Sequence, residues 1–154
     1  LPSEGFLRAR GRGLTSNRGC AMVQQMEVFG RSLSPLEEWR MAQFNIPTNE
    51  SEAANDFNAD SDGITNLMEY ALGLDPKSDS SNEIPKWTSV NGVFEMSFQQ
   101  PATVEGITYG AEWSETMKQE DWHAAQDLSS GGDKVFHVPA SRENLFFRLK
   151  VTAP

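Results

Sequence analysis

The sequence predicts a mostly β protein with a short helical module and a small antiparallel β-sandwich at its C-terminus. After Pro85 the chain consists of short runs that alternate apolar and polar residues, separated by turn formers such as Asn91-Gly92. A helix-start signal occurs earlier, at Ser34. No strand-helix-strand pattern is present, which argues against a parallel nucleotide-binding sheet.

Charge divides the chain into three predicted parts. Residues 1–31 carry five arginines against two glutamates, a net charge of +3, and residues 85–154 carry six basic against nine acidic groups, a net charge of −3. Residues 32–84 carry two basic groups against eleven acids, a net charge of −9. A segment with this much negative charge repels nucleic acid and anionic membranes and attracts cations. Nucleic acid is therefore not an expected partner. No apolar run approaches the roughly 20 residues that span a bilayer, so membrane insertion is not expected either.

Residues 1–31 are predicted to be a β-hairpin or the end of an upstream β domain. Residues 6–12 alternate as one strand would, and residues 21–29 form a second run. Two strands alone are marginally stable and the chain begins at Leu1, so we expect this part to belong to a longer precursor. Cys20 is the only cysteine, which excludes an internal disulfide.

Residues 32–84 are predicted to be an acidic helix-loop-helix module followed by a linker. Ser34 and Glu37 form a capping box, and the helix that starts there should run through Phe44. Residues 46–59 are small and polar, as in a connecting loop with one short helical turn. A second short helix is predicted from Ile64 to Leu72 and closed by Gly73, and residues 75–82 are turn formers typical of a linker.

Residues 85–154 are predicted to form the antiparallel β-sandwich. The alternating runs are four to seven residues long, as strands of such a module are. The predicted strands are residues 86–89, 93–99, 107–113, 122–126, 134–138 and 145–151.

Residues 58–69 offer oxygen ligands at the spacing of a twelve-residue calcium loop, with Gly63 at the sixth position for the sharp turn. Ca²⁺ takes six to eight oxygens at about 2.3–2.6 Å, and carboxylates offset its charge. The sequence therefore predicts a Ca²⁺ site with side-chain ligands and one backbone carbonyl, that of Ile64. The predicted ligands are Asn58, Asp60, Asp62, Ile64, Asn66 and Glu69.

The stretch NADSDGITNLMEYALGLDP resembles the calcium-binding repeats of the EF-hand, dockerin and thrombospondin type 3 families, and most closely the last. That family has a D-x-D-x-D-G-L-T-N-x-x-E-Y pattern followed by G-x-D-P. Asn58 stands where the first Asp is usual, and Thr65 stands where paired EF-hands have an aliphatic residue, so a solitary loop is expected. By the same resemblance Asp75 and Asp79 are further candidate ligands. The expected dissociation constant is roughly 10⁻⁵ to 10⁻³ M, as in weaker and extracellular sites.

The two ends of the chain resemble parts of large secreted bacterial proteins. GFLRARGRG is similar to the last strand of a β-propeller or repeat array, and residues 107–151 are similar to the small C-terminal β-module that follows such calcium loops. The resemblance implies a secreted or cell-surface location and a larger parent chain whose neighbouring domains are the partners.

A simpler interpretation of residues 58–69 is a solvated polar turn that caps a helix through Asp62 or Thr65 and binds no metal. The sequence leaves both interpretations open, although every ligand position is filled as a calcium loop requires.

The sequence indicates a calcium-binding connector between β modules, with calcium rigidifying the loop. The alternative is a carbohydrate-binding or adhesion module that uses Trp87, Trp113 and Trp122. No enzyme is expected: nucleophile-elbow and phosphate-loop motifs are missing, and carboxylates near the tryptophans, such as Glu112 and Asp121, fit solvated surface acids.

Overall fold

The structure is a computed structural model that describes residues 27–28, 30–141 and 144–154. The predicted strand at residues 6–12, most of the run at 21–29, and Cys20 lie outside the described residues. Strands β1 (Glu27–Val28) and β2 (Arg31–Ser32) form a short antiparallel pair in which Glu27 lies opposite Ser32.

Helix α1 (Pro35–Phe44) begins where the capping box predicts. The Ser34 hydroxyl accepts a hydrogen bond from the backbone N–H of Glu37 at 3.4 Å, and the Glu37 carboxylate accepts from the Ser34 N–H at 2.9 Å. Arg31 pairs with the same carboxylate at 2.5 Å, and this contact and the backbone bond lower the pKa of Glu37 to about 2. The helix ends at Asn45, in the left-handed conformation.

Replacing Ser34 with alanine is expected to lower the free energy of unfolding by about 1 kcal/mol, because one N-terminal N–H of α1 loses its acceptor. Urea unfolding measures this change. Ser89→Ala, in an exposed strand position, is the control and should shift the midpoint less. Equal midpoints for the two variants would show that the box does not stabilise α1.

Helix α2 (Asn66–Leu72) ends at Gly73, whose N–H donates to the carbonyls of Glu69 and Tyr70. Gly73 has a φ of +69°, and a Cβ added there would lie 3.0 Å from the Pro101 side chain. Glycine is needed at this position both for the left-handed turn and for the close approach of residue 101.

The rest of the chain forms two antiparallel sheets, which confirms the β-rich class predicted from the sequence. The four-stranded sheet has the order β3-β4-β8-β7, and the three-stranded sheet has the order β6-β5-β9. The strands are β3 (Thr88–Val90), β4 (Val93–Gln99), β5 (Thr108–Ser114), β6 (His123–Ala124), β7 (Gln126–Asp127), β8 (Asp133–Pro139) and β9 (Phe146–Thr152).

The single strand predicted at residues 122–126 was wrong in one respect, because it is divided between the two sheets. β6 pairs with β5, and β7 pairs with β8. Between them the N–H of Ala125 donates to the carbonyl of Ala111. The chain therefore passes from one sheet to the other at Ala125.

The helices and the sheets share one buried core. Ala71 of α2 packs in a cluster with Tyr109 and Ala111 of β5 and Phe136 of β8. The Tyr109 hydroxyl donates to the Ala71 carbonyl at 2.5 Å. A second cluster joins Leu36 of α1 and Tyr70 of α2 to Val104, in the turn before β5. None of the described helices has the length and apolar character needed to cross a membrane.

Candidate metal centre

The loop of residues 58–65 leads into α2 and curls through three successive side-chain-to-backbone turns. Asn58 Oδ1 accepts from the N–H of Ser61 at 2.8 Å, Asp60 Oδ1 from that of Asp62 at 3.1 Å, and Asp62 Oδ1 from that of Ile64 at 2.7 Å. Such turns are typical of Asn and Asp, whose short side chains reach their own backbone. Gly63 adopts a φ of +93°, which other residues rarely adopt.

The loop and α2 bring three acidic side chains together. Carboxylate oxygens of Asp60, Asp62 and Glu69 lie within 4.8 Å of one another, a distance at which one ion could contact all three. This is the only such acidic, histidine or cysteine group found among the described residues. Burial and, to a smaller extent, the nearby charges of Asp60, Asp62 and Asp75 together raise the pKa of Glu69 to about 7.

Four buried oxygens of the predicted ligands have no hydrogen-bond partner. In the described part of the chain six buried side-chain polar atoms lack one, and the two others are Arg40 Nε and Trp87 Nε1. Buried polar groups in folded proteins are nearly always paired, so a cluster of unpaired oxygens needs an explanation. All four belong to predicted calcium ligands: Asp60 Oδ2, Asn66 Oδ1, Glu69 Oε1 and Glu69 Oε2.

Asn66 is 1% exposed, and its amide is held in one orientation. The Nδ2 group donates to the carbonyls of Glu52 at 2.8 Å and Ala54 at 2.9 Å. Because both donors are used in this way, the amide oxygen is the atom left unpaired. Asn66 and Glu69 are three residues apart in α2 and therefore share one side of the helix.

The other predicted ligands have no unpaired buried side-chain oxygen. Asn58 is half-buried and its Oδ1 holds the Ser61 N–H, while Ile64 is buried and the ligand role of its carbonyl stays a prediction. Asp75 is near enough for its charge to raise the pKa of Glu69. Asp79 instead accepts bonds from the N–H and hydroxyl of Ser81, and those bonds lower its pKa.

Ser80 is a neighbour of the loop that the sequence does not reveal. Its N–H donates to Asp62 Oδ2 at 2.9 Å, and its side chain is buried. The segment 75–82, which composition predicts to be a linker, thus lies against the acidic loop and fixes the second oxygen of Asp62. A serine among serines and aspartates gives no signal of such a contact.

The donor set fits a hard divalent cation. It consists of oxygens only, from three carboxylates and one amide, which suits hard cations such as Ca²⁺ and Mg²⁺ and does not suit metals that favour nitrogen or sulfur. The two histidines lie in different sheets, and each is next to a carboxylate outside the acidic triad. His137 pairs with Glu95 at 2.7 Å, and His123 lies 3.4 Å from Asp121.

The tryptophans proposed as a sugar platform each have a side chain against one ring face. Trp87 stacks on Phe147 with ring centres 4.6 Å apart, and Trp113 contacts His123 at 4.7 Å. The Arg148 guanidinium lies 4.0 Å from the ring centre of Trp122. All three tryptophans are half-buried.

Without a bound cation, the free energy of unfolding is expected to fall as the pH rises from 4.5 to about 7. These limits are the ordinary pKa of a glutamate and the pKa of Glu69 in the folded chain. The reason is that the Glu69 carboxyl keeps its proton to a higher pH in the folded chain than in the unfolded one. The folded state then binds more protons in this window, and raising the pH favours unfolding.

Thermal melts in the presence of a chelator measure this pH dependence. The Glu69→Gln variant is the control, because it lacks the titrating group and every other acid is kept. An identical pH dependence in both chains would contradict the expectation.

Comparison with known proteins adds no assignment: no protein-family model matches the sequence, and neither a curated protein nor a solved structure matches the chain. The resemblance to calcium-binding repeats therefore stays a prediction from the sequence, and the function has to be argued from the site itself.

Proposed function

We propose that the chain binds one Ca²⁺ in the loop of residues 58–69 and serves as a calcium-stabilised structural region of a larger extracellular protein. The observation that supports this most strongly is the set of four buried oxygens without hydrogen-bond partners at Asp60, Asn66 and Glu69. A buried cluster of acceptors without donors is costly, and a cation that contacts them offsets both the unpaired oxygens and the mutual repulsion.

The simpler interpretation, a solvated turn that caps α2, is less well supported. Thr65 is the N-cap residue of α2, and its side chain makes no capping hydrogen bond. The Asp62 carboxylate accepts from the N–H groups of Ile64 and Ser80 and not from an N–H of α2. A solvated turn would also leave its carboxylates in water, whereas Glu69 is 0% exposed.

The proposed effect of the ion is structural. Glu69 lies in α2, and Ala71, two residues later, is in the core cluster of the sheets. An ion that fixes Glu69 would also fix the part of α2 that packs on Tyr109. We therefore propose that calcium holds the helical module against the β strands, which pack face to face as a sandwich in this proposal.

The remaining parts of the proposal follow from this role. A connector needs neighbouring domains as partners and no catalytic group, and a site of modest affinity suits the high calcium concentrations outside cells. A carbohydrate-binding role is not favoured, because side chains of the protein already lie on faces of the three tryptophan rings.

Two substitutions that each add one carboxylate are expected to have opposite effects on calcium affinity. Asn58→Asp should tighten binding several-fold, because a carboxylate can hold the Ser61 N–H equally well and adds charge near the ion. Asn66→Asp should weaken binding about tenfold, because the new oxygen cannot donate to the carbonyls of Glu52 and Ala54.

Calorimetric titration of the unsubstituted chain and both variants tests the proposal. Each variant is the charge-matched control for the other. Equal tightening by both would show that the site responds only to charge, and no change in either would place the ion elsewhere.

A further inference from the structure

Arg40 is a buried charged residue outside the calcium loop. It lies in α1, is 6% exposed, and has no carboxylate within ion-pair distance among the described residues. Its guanidinium donates to Asn55 Oδ1 at 2.5 Å. Burial of a cation is costly and lowers the pKa of Arg40, and the charge of Glu37 opposes this shift only in part. A leucine would bury the same helix face without desolvating a charge.

Asn55 belongs to residues 49–57, which we call the collar. The collar contains a 3-10 turn at Ser51–Ala53, and Ala53 is fully buried. The N–H of Asn55 donates to Asn49 Oδ1 at 2.6 Å, which closes the collar on itself. Arg40 therefore links α1 to the collar, which the bond between Asn55 and Asn49 already holds in a closed loop.

The collar receives four hydrogen bonds from the first turn of α2. The backbone N–H groups of Asn66 and Leu67 donate to the carbonyls of Phe57 at 2.8 Å and Asn55 at 3.1 Å. The Asn66 amide supplies the other two, to carbonyls of residues 52 and 54. The two backbone bonds satisfy helix-start donors that the Thr65 side chain does not cap.

We infer that Arg40 is a positioning residue of the calcium site, acting through Asn55 and the collar to keep the amide oxygen of Asn66 turned toward the ion. The inference rests on the proposed function and extends it to a residue 18 positions before the loop. Arg40 does not touch the ion. It holds Asn55, two carbonyls of the same collar hold the Asn66 nitrogen, and the oxygen of the same amide is left for the metal.

The arrangement is an outer layer of the kind that orients metal ligands in many proteins. Loss of such a partner typically weakens metal binding by about 10- to 100-fold, although no ligand is removed. If the Asn55 side chain loses its donor, the collar carbonyls can shift and the Asn66 amide can rotate. Water would then take the place of the Asn66 oxygen on the ion.

Terbium luminescence provides a readout that stability alone does not change, because its decay in ordinary and heavy water counts the water molecules on the bound ion. Four variants are compared with the unsubstituted chain, well below their melting temperatures. Arg40→Lys keeps the charge but loses the planar fork, and Asn55→Ala removes the acceptor. Asn55→Asp keeps an acceptor for Arg40, and Arg31→Lys alters the exposed arginine that pairs with Glu37.

Arg40→Lys and Asn55→Ala are expected to raise the calcium dissociation constant about tenfold and to add about one water to bound terbium. Asn55→Asp and Arg31→Lys are expected to bind at least as tightly as the unsubstituted chain, with the same number of waters.

Two results would overturn the inference while leaving the proposed function intact. In one, Arg40→Lys and Asn55→Ala lower only the melting temperature and keep the original affinity and water count. In the other, Asn55→Asp is weakened as much as Asn55→Ala. Failure of the unsubstituted chain to bind terbium or calcium would instead overturn the proposed function, and the inference with it.

Discussion

The Glu69→Gln variant is expected to lose calcium binding and yet to be more stable than the unsubstituted chain when no calcium is present. Glu69 supplies two of the four unpaired oxygens, and its carboxylate is fully buried beside Asp60 and Asp62. Glutamine has the same shape but no charge, so it removes the main attraction for the ion. It also removes the repulsion that the empty carboxylate cluster suffers.

The expected loss of affinity is on the order of 100-fold, because the glutamate at the twelfth position of a calcium loop binds the ion through both carboxylate oxygens. Calorimetry measures the affinity, and thermal melts with chelator and with calcium measure the stability. Glu83→Gln is the matched control, because Glu83 is an exposed acid of the same module. A Glu69→Gln variant that binds calcium as before would refute the ligand set.

Calcium is expected to stabilise the β strands as well as the loop that binds it. At a free concentration 100 times the dissociation constant, binding adds about 2.7 kcal/mol to the free energy of unfolding. For a chain of this length that is roughly 5–10 °C in melting temperature. The stabilisation should reach the sheets, because Ala71 shares a core cluster with Tyr109 and Phe136.

Amide hydrogen exchange with and without calcium shows where the stabilisation is felt. Exchange should slow in α2 and also in β5 and β8, and the Glu69→Gln variant should show neither effect. Slowing confined to residues 58–69 would mean that the loop orders independently of the sheets, and the connector role would lose its physical basis.

The sequence predicts well those elements that depend on short-range chemistry. The capping box at Ser34 locates the start of α1 and the glycine at position 73 locates the end of α2, since each acts through hydrogen bonds to residues within one turn. The start of α2 lies at Asn66, two residues after the predicted start at Ile64. The alternation from Val93 to Gln99 coincides with β4. This strand pairs with β3 on one edge and β8 on the other, so its side chains alternate between the two faces of the sheet. The acidic triad follows from spacing within one loop and one helix turn.

Contacts between distant segments could not be predicted. The division of residues 122–126 between two sheets depends on pairing with β5 and β8, which periodicity does not record. Arg40 lies on an acidic helix where a charged residue usually faces water, yet it is buried against the collar. The bond from Ser80 to Asp62 is likewise made by a backbone N–H, which any residue could supply.

Calorimetric titration of the chelator-treated chain with calcium is the decisive test of the proposed site. We expect saturable binding to one site per chain, with a dissociation constant of roughly 10⁻⁵ to 10⁻³ M and a melting temperature raised by the ion. No heat and no shift in melting temperature at millimolar calcium would contradict it, and the residues from Asn58 to Glu69 would then be a polar turn.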